Sequence, residues 1–364
     1  MKQWSSFAPA CIAAVFLAVT ALAASASAAG PLAKGGESTI SDTSLSAYDY
    51  SLAWKALHFS KSAYCELSNV KSWNCGEACT ISSSNFEVFD IYDDYWAGTF
   101  GYSGIDHEAK HIVAVFRGTS NSANWLHNFD FWSTQYPNTN CQSYCRVHRG
   151  FYNAYSSLRT KLIQDLLELH KQHPSYTFLL TGHSLGGAMA LLGALDLATG
   201  NLLEEGVLDS DAQGYLEALR LLRGPLLELY TFGEPRVGNH AFSTWSKSVL
   251  MRQRQYRVTH GRDPVPHLPP QLFGYLHVPQ EVWYPKEDST IHLCQETDDD
   301  EDPNCSNSVY AVSVPDHLLY LGICTQCECT AAVMDEIMNY TLPPELYAVL
   351  ALDHAMISRR HKRR

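Results

Sequence analysis

From Tyr48 onward, apolar side chains at Tyr48, Leu52, Ala56 and Phe59 return to one face of a helix. Leu158, Leu162, Leu166 and Leu169 repeat that period, and Pro174 closes the element. Around these helical stretches lie short, unbroken apolar runs: His111 to Phe116 (HIVAVF), Thr177 to Thr181, Leu226 to Phe232 and Tyr256 to Thr259. Runs of that length without polar alternation suit strands covered on both faces. Strands alternating with helices predict an α/β fold with a mainly parallel central sheet flanked by helices. Two stretches break the rhythm. Residues 200–225 read as a helical excursion between core elements. The acidic run Glu296 to Asp302 (ETDDDED), between Cys294 and Cys305, has no EF-hand spacing and reads as a solvated loop.

The first 28 residues read as a secretory signal: Lys2, the apolar run Cys11 to Leu22, then Ala26-Ser27-Ala28 as a small-residue cleavage site. The apolar run is short for a membrane span. Residues 29–46 form a Gly-, Ser- and Ala-rich lead-in, 47–325 the main domain, and 326–364 an extension ending in the basic tail Arg359 to Arg364. The chain has 11 cysteines, of which Cys11 lies in the signal, and the even remainder reads as disulfides in an exported protein. Asn304 and Asn339 head glycosylation sequons. A net charge of −12 over 364 residues argues against nucleic acid as a partner. No stable protein partner is implied, and a monomer is expected.

The sharpest chemical signal is TFLLTGHSLGGAMA (177–190), where Gly182-His183-Ser184-Leu185-Gly186 fits the nucleophile elbow G-x-S-x-G between a buried strand and an alanine-rich helix. A serine hydroxyl needs a base to take its proton. Downstream, Asp263 follows a strand in a Pro- and Gly-rich loop, and His317 precedes an apolar run, in the order Ser, Asp, His. From the residues alone, His267, His277, His292 and His354 compete for the role of base. His183 reads as a packing residue, and Arg117 as a buried residue with a structural partner.

Six segments in order then resemble the secreted fungal-type class 3 lipases, an α/β-hydrolase family: VFRGTSNSANW (115–125), VHRGFYNAY (147–155), TGHSLGGAMA (181–190), TFGEPRVGN (231–239), YRVTHGRDPVPHLPP (256–270) and CSNSVYAVSVPDHLLYLGI (305–323). They cover roughly residues 47 to 325. The resemblance implies the α/β-hydrolase fold with a helical lid, Ser184 as nucleophile, His317 as base and Asp263 as its orienting acid. It places oxyanion donors at Thr119 and Leu185, and a lid in Ser120 to Phe131, with Trp125, Leu126 and Phe129 on its apolar face. It implies hydrolysis of acylglycerol esters at an oil–water interface, with no cofactor and no metal. A feruloyl-type or other carboxylesterase on the same scaffold is the rival, and an inactive lipid-binding protein the more distant one. The resemblance also suggests disulfides Cys75–Cys79, Cys141–Cys145 and Cys294–Cys305, and a long-range bond from Cys65 to the C-terminal cysteine cluster, with Cys324 as the expected partner. That leaves Cys327 and Cys329, for which reshuffling with Cys324 or a bond between chains remains open. From about Gln326 the chain leaves the family pattern.

Overall fold

The computed structural model describes residues 48–119, 126, 129–137, 141, 144–199, 211, 214–215, 227–278, 280–286, 290–297 and 300–362. The signal (1–28), the lead-in (29–46), Trp125 and nearly all of the 200–225 excursion lie outside the described residues. Helix α1 (Tyr50–Ser62) opens the body, with Asp49 capping it by accepting from the Leu52 amide. Among the described residues the main sheet has eight strands, side by side in chain order: β1 (Glu87–Asp94), β2 (Thr99–Asp106), β3 (His111–Phe116), β4 (Thr177–His183), β5 (Leu227–Phe232), β6 (Arg254–His260), β7 (Glu281–Tyr284) and β8 (His292–Leu293). The steps from β3 through β7 are parallel. The pairs β1–β2, β2–β3 and β7–β8 are antiparallel.

Parallel neighbours need crossovers. Those of the first three steps are α2 (Arg149–Gln172), α3 (Leu185–Thr199) and α4 (His240–Leu250), after β3, β4 and β5 in turn. Successive strand residues point to opposite faces, so the continuous apolar runs fill two cores at once. Ile112, Ala114, Phe116, Phe178 and Leu180 pack with α2, α3 and α4. Val113, Val115 and Leu179 pack with α1. All the parallel strands end on one edge, and the segments that carry Thr119, Ser184 and Asp263 leave from it. His317 arrives on the short helix α5 (Val314–Leu318).

The extension adds two helices, α6 (Ala331–Asn339) and α7 (Pro344–His361). Pro343 and Pro344 do not break α7 but start it, since proline at the first helical turn sacrifices no intrahelical hydrogen bond. Among the described residues, no helix is long and apolar enough to cross a membrane.

Two expectations need correction. Cys65 bonds Cys327, not Cys324, and Cys324 bonds Cys329. Cys324 ends a small two-stranded hairpin paired to Leu319–Tyr320 and is buried with the apolar side chains around α5. It is Cys327, past the following turn, that meets the end of α1, with Cα atoms 4.8 Å apart. The three local pairs Cys75–Cys79, Cys141–Cys145 and Cys294–Cys305 are present.

The acidic run is not a solvated loop either. Asp300, Glu301 and Asp302 are buried. Glu301 makes a two-pronged pair with Arg236 at 2.7 and 2.8 Å, and Glu296 accepts from Arg257 at 2.7 Å. Charge runs are normally solvated because burying an unpaired carboxylate is costly. Here two arginines from the strand side of the fold meet the run inside. Glu301→Ala should therefore strip the buried Arg236 of its two-pronged partner and leave it the Asp353 carboxylate at 3.6 Å, with a loss of about 3–5 kcal/mol in urea unfolding. Exposed Glu108→Ala should stay within about 0.5 kcal/mol of the parent.

Candidate active site

β4 ends at His183, and α3 begins at Leu185, so a single residue turns the chain from strand to helix. That residue, Ser184, has φ of 60°, in the left-handed region where a non-glycine side chain is strained. Two backbone bonds hold it there: the Ser184 amide donates to the Phe232 carbonyl at 2.8 Å, and the Gly187 amide to the Ser184 carbonyl at 2.9 Å. Gly182 and Gly186 make the turn possible. A Cβ on Gly182 would collide with the Gly186 carbonyl, and one on Gly186 with the Phe116 carbonyl of β3. The elbow is thus wedged between two neighbouring strands, with the Leu185 amide at the first turn of α3.

Asp263 follows β6. One of its oxygens accepts from the Val265 amide at 2.8 Å. The other takes a 2.9 Å bond from His317 Nδ1 and a 2.5 Å bond from the Tyr320 hydroxyl. The loops carrying the acid and the histidine are stitched together. Asp316 accepts from the Arg262 amide at 2.6 Å, and the Ser313 amide donates to the Arg262 carbonyl at 2.9 Å. With Nδ1 donating to a carboxylate, the His317 ring is oriented and Nε2 is left as its basic atom. That Nε2 is buried and has no hydrogen-bond partner among the described residues. Ser184 is 4% exposed and His317 1%. The site is closed to solvent.

The other histidines are engaged elsewhere. His267 and His277 lie in the buried ionic network around Arg236, where burial, reinforced by arginine charge, lowers His267 to about 3 and His277 well below its ordinary value. His292 sits on β8, and His354 on α7 beside Tyr310. His183 is fully buried, and burial beside His317 keeps its ring neutral. Arg117 is partly buried with its guanidinium 5.0 Å above the Phe100 ring, so its structural contact is an aromatic face.

Thr119 lies half-buried just past β3. Leu126 is 1% exposed and packs with Val265, Leu268, Val314 and Leu318, which flank Asp263 and His317. Phe129 lies partly buried against the same group and stacks on His148. Nothing in composition or spacing marks Tyr320, although it stands three residues after His317 in the DHLLY segment.

The sequence profile of the family Lipase (class 3) matches residues 113–273. A lipase of Rhizomucor miehei is 41% identical over 218 residues, covering 59% of this chain and 53% of its own length. The secreted mono- and diacylglycerol lipase A of Penicillium cyclopium is 30% identical over 246 residues, covering 67% of this chain and 72% of its own. A solved triacylglycerol lipase whose catalytic centre is a serine protease triad is 35% identical, with a TM-score of 0.63, covering 76% of this chain and 96% of its own. The chain spans about half the length of the Rhizomucor lipase.

Glu234, in the segment after β5, is buried behind the elbow, with its Cβ close to Gly187. Burial raises its carboxyl from 4.5 to about 7. A folded value above the unfolded one means that its contribution to stability is complete below about 4.5 and is lost as pH rises through about 7. Glu234→Gln should match the parent Tm at pH 4.5 and exceed it at pH 8, the gap opening between those values. An equal difference at both pH values would contradict a neutral Glu234.

Proposed function

This chain belongs to the class 3 lipase family, and from that membership we propose that it is a secreted serine hydrolase of acylglycerol esters. The observation that carries the proposal is the buried Asp263–His317 pair, 2.9 Å apart, beside a serine forced into a left-handed turn between strand and helix. In this reading His317 takes the Ser184 proton as Oγ attacks the ester carbonyl, and the proton then passes to the departing alcohol. The carbonyl oxygen gathers negative charge, which the Leu185 and Thr119 amides receive. Water activated by the same imidazole releases the fatty acid. Asp263 holds the imidazole through Nδ1, and Tyr320 in turn holds Asp263.

Secretion is supported by the sulfur chemistry. All ten cysteines beyond Cys11 are paired, as an oxidising compartment allows. A glyceride surface as the working phase is supported by the closed site, in which Leu126 and Phe129 lie against the apolar side chains flanking Asp263 and His317. The enzyme is read as a monomer with its lipid substrate as sole partner.

The test is hydrolysis of tributyrin, a longer-chain triglyceride, a diglyceride and a feruloyl ester by the purified mature protein. The proposal expects glyceride turnover, with Ser184→Ala lowering it by at least about 10³-fold and Asp263→Asn by about 10³–10⁴-fold. Turnover of the feruloyl ester alone would keep the esterase reading and replace the glyceride with a feruloyl ester as substrate. Failure of a serine-reactive phosphonate to label the folded protein would sink both.

A further inference from the structure

Between the oxyanion segment and His317 lies a hydrogen-bonded chain whose members no step above uses. Tyr64, just after α1, reaches under the elbow. Its hydroxyl packs directly against Gly118 and lies 2.8 Å from His183 Nδ1. On the far side of the ring, His183 Nε2 lies 2.7 Å from the His317 carbonyl oxygen. The two imidazoles face one another with centroids 4.5 Å apart. Glycine is required at 118, because a Cβ there would overlap the Tyr64 hydroxyl and come within 2.7 Å of the His183 carbonyl.

The direction of this chain has one solution. A carbonyl only accepts. The His317 carbonyl therefore takes its proton from His183 Nε2, and the neutral ring is left with Nδ1 as an acceptor, to which the Tyr64 hydroxyl donates.

We propose that Tyr64 is a positioning residue: through His183 it fixes the backbone of His317 relative to the Gly118–Thr119 oxyanion segment. The proposal rests on the esterase reading. Losing the hydroxyl frees His183 to adopt the other tautomer, which drops the bond to His317 and loosens the spacing between base and oxyanion donors. Misplacement of that kind acts in the transition state and spares substrate binding.

Tyr64→Phe should lower kcat on tributyrin about tenfold, the equivalent of one lost hydrogen bond, with KM within about twofold. His183→Gln, whose amide can both accept from Tyr64 and donate to the His317 carbonyl, should retain about ten times the kcat of His183→Leu. Independently of turnover, ¹⁵N shifts of histidine-labelled parent protein should show His183 as the Nε2–H tautomer, neutral from pH 5 to 9. Parental kcat in Tyr64→Phe, or an Nδ1–H tautomer, would overturn the proposal. The tautomer is read without substrate, so a protein that hydrolyses no ester fails the esterase reading and leaves this measurement standing.

A different observation carries a second inference. The apolar side chains beside the triad are not covered by Leu126 alone. Ile337 of α6 and Leu346 and Leu350 of α7 complete the same buried cluster. The two helices are fastened at both ends. At the root, Cys324–Cys329 and Cys65–Cys327 hold the segment leading into α6, and Lys61 Nζ donates to the Cys324 and Gln326 carbonyls. Toward the tail, the buried Asp353 carboxylate accepts from the Gln271 and Leu272 amides and lies 3.6 Å from Arg236. Arg360 then lies 3.7 Å from Asp300.

We infer that the C-terminal hairpin is an autoinhibitory strap. It clamps Leu126 over the apolar surface beside Asp263 and His317, and a lipid phase must displace that contact before an ester reaches Ser184. This too rests on the esterase reading. Leu346→Glu with Leu350→Glu, in the full mature chain, should accelerate phosphonate labelling of Ser184 in lipid-free buffer by about tenfold. An unchanged or slower rate would overturn the strap. If that variant does not fold, hydrogen exchange on the parent decides. Amides of 344–352 should exchange faster after reaction with a long-chain alkyl phosphonate than after a methyl phosphonate, and equal exchange would overturn it. A parent that no phosphonate labels, even with detergent present, fails the esterase reading instead.

Discussion

The left-handed turn at Ser184 is the constraint to which the rest of the molecule answers. A non-glycine residue at φ of 60° persists only where its surroundings over-determine it. Here the serine amide is tied to the end of β5 and its carbonyl to α3, while Gly182 and Gly186 let strand, helix and the end of β3 close to backbone distance. That closeness is possible because β3, β4 and β5 are adjacent, parallel and covered on both faces. The sheet order, the two cores and the glycine-rich start of α3 are therefore one requirement seen at three scales.

From the elbow outward, order is carried by polar contacts in places where water is absent. Asp263 receives His317, Tyr320 and the Val265 amide, so both its oxygens are held and the imidazole has one orientation. His183 and Tyr64 extend the same logic to the other side of the base. Deeper still, Arg236 and Arg257 draw the acidic run inward. A buried arginine–carboxylate pair adds little net stability compared with an apolar filling, but it demands a particular geometry. Its use here is to fix long loops: the Glu301 carboxylate also receives the His277 amide and Asn307, which ties three separate segments to one side chain.

Much of the fold was legible because burial on both faces leaves a strong mark in sequence. HIVAVF is the strand His111–Phe116 to the residue, and the leucine repeat is the helix that ends at Gln172, before Pro174. The strand expected from Tyr256 begins two residues earlier, since the polar Arg254 and Gln255 also pair with β5, Arg254 adding a 2.9 Å bond to the Glu228 carboxylate. The β1–β2 hairpin left no such mark, because β1 mixes exposed and half-buried residues. At the site, the elbow was readable locally. Asp263 and His317 were not separable from other candidates by spacing, because what distinguishes them is a 2.9 Å contact between residues 54 apart. The acidic run misled for a physical reason. Charge density argues for water, and only the three-dimensional arrival of Arg236 and Arg257 reverses that.

The extension shows how an unpatterned tail acquires a role by where it is fastened. Its helices have modest apolar faces that would not hold a hairpin together in water, and short isolated helices are marginal. Crosslinks at Cys327 and Cys329 and the buried Asp353 remove most of the freedom the segment would otherwise lose on docking. A few apolar contacts then suffice: Ile337, Leu346 and Leu350 share one buried cluster with Leu126 and with Val265 and Val314 of the Asp263 and His317 segments. Contacts of that kind are non-directional and roughly proportional to the area removed from water. They are the ones an apolar phase can replace at little cost, whereas the Arg236 pair and the disulfides stay behind. The division of labour follows: polar and covalent links keep the strap rooted, and hydrophobic ones leave it free to lift where lipid offers the same surface.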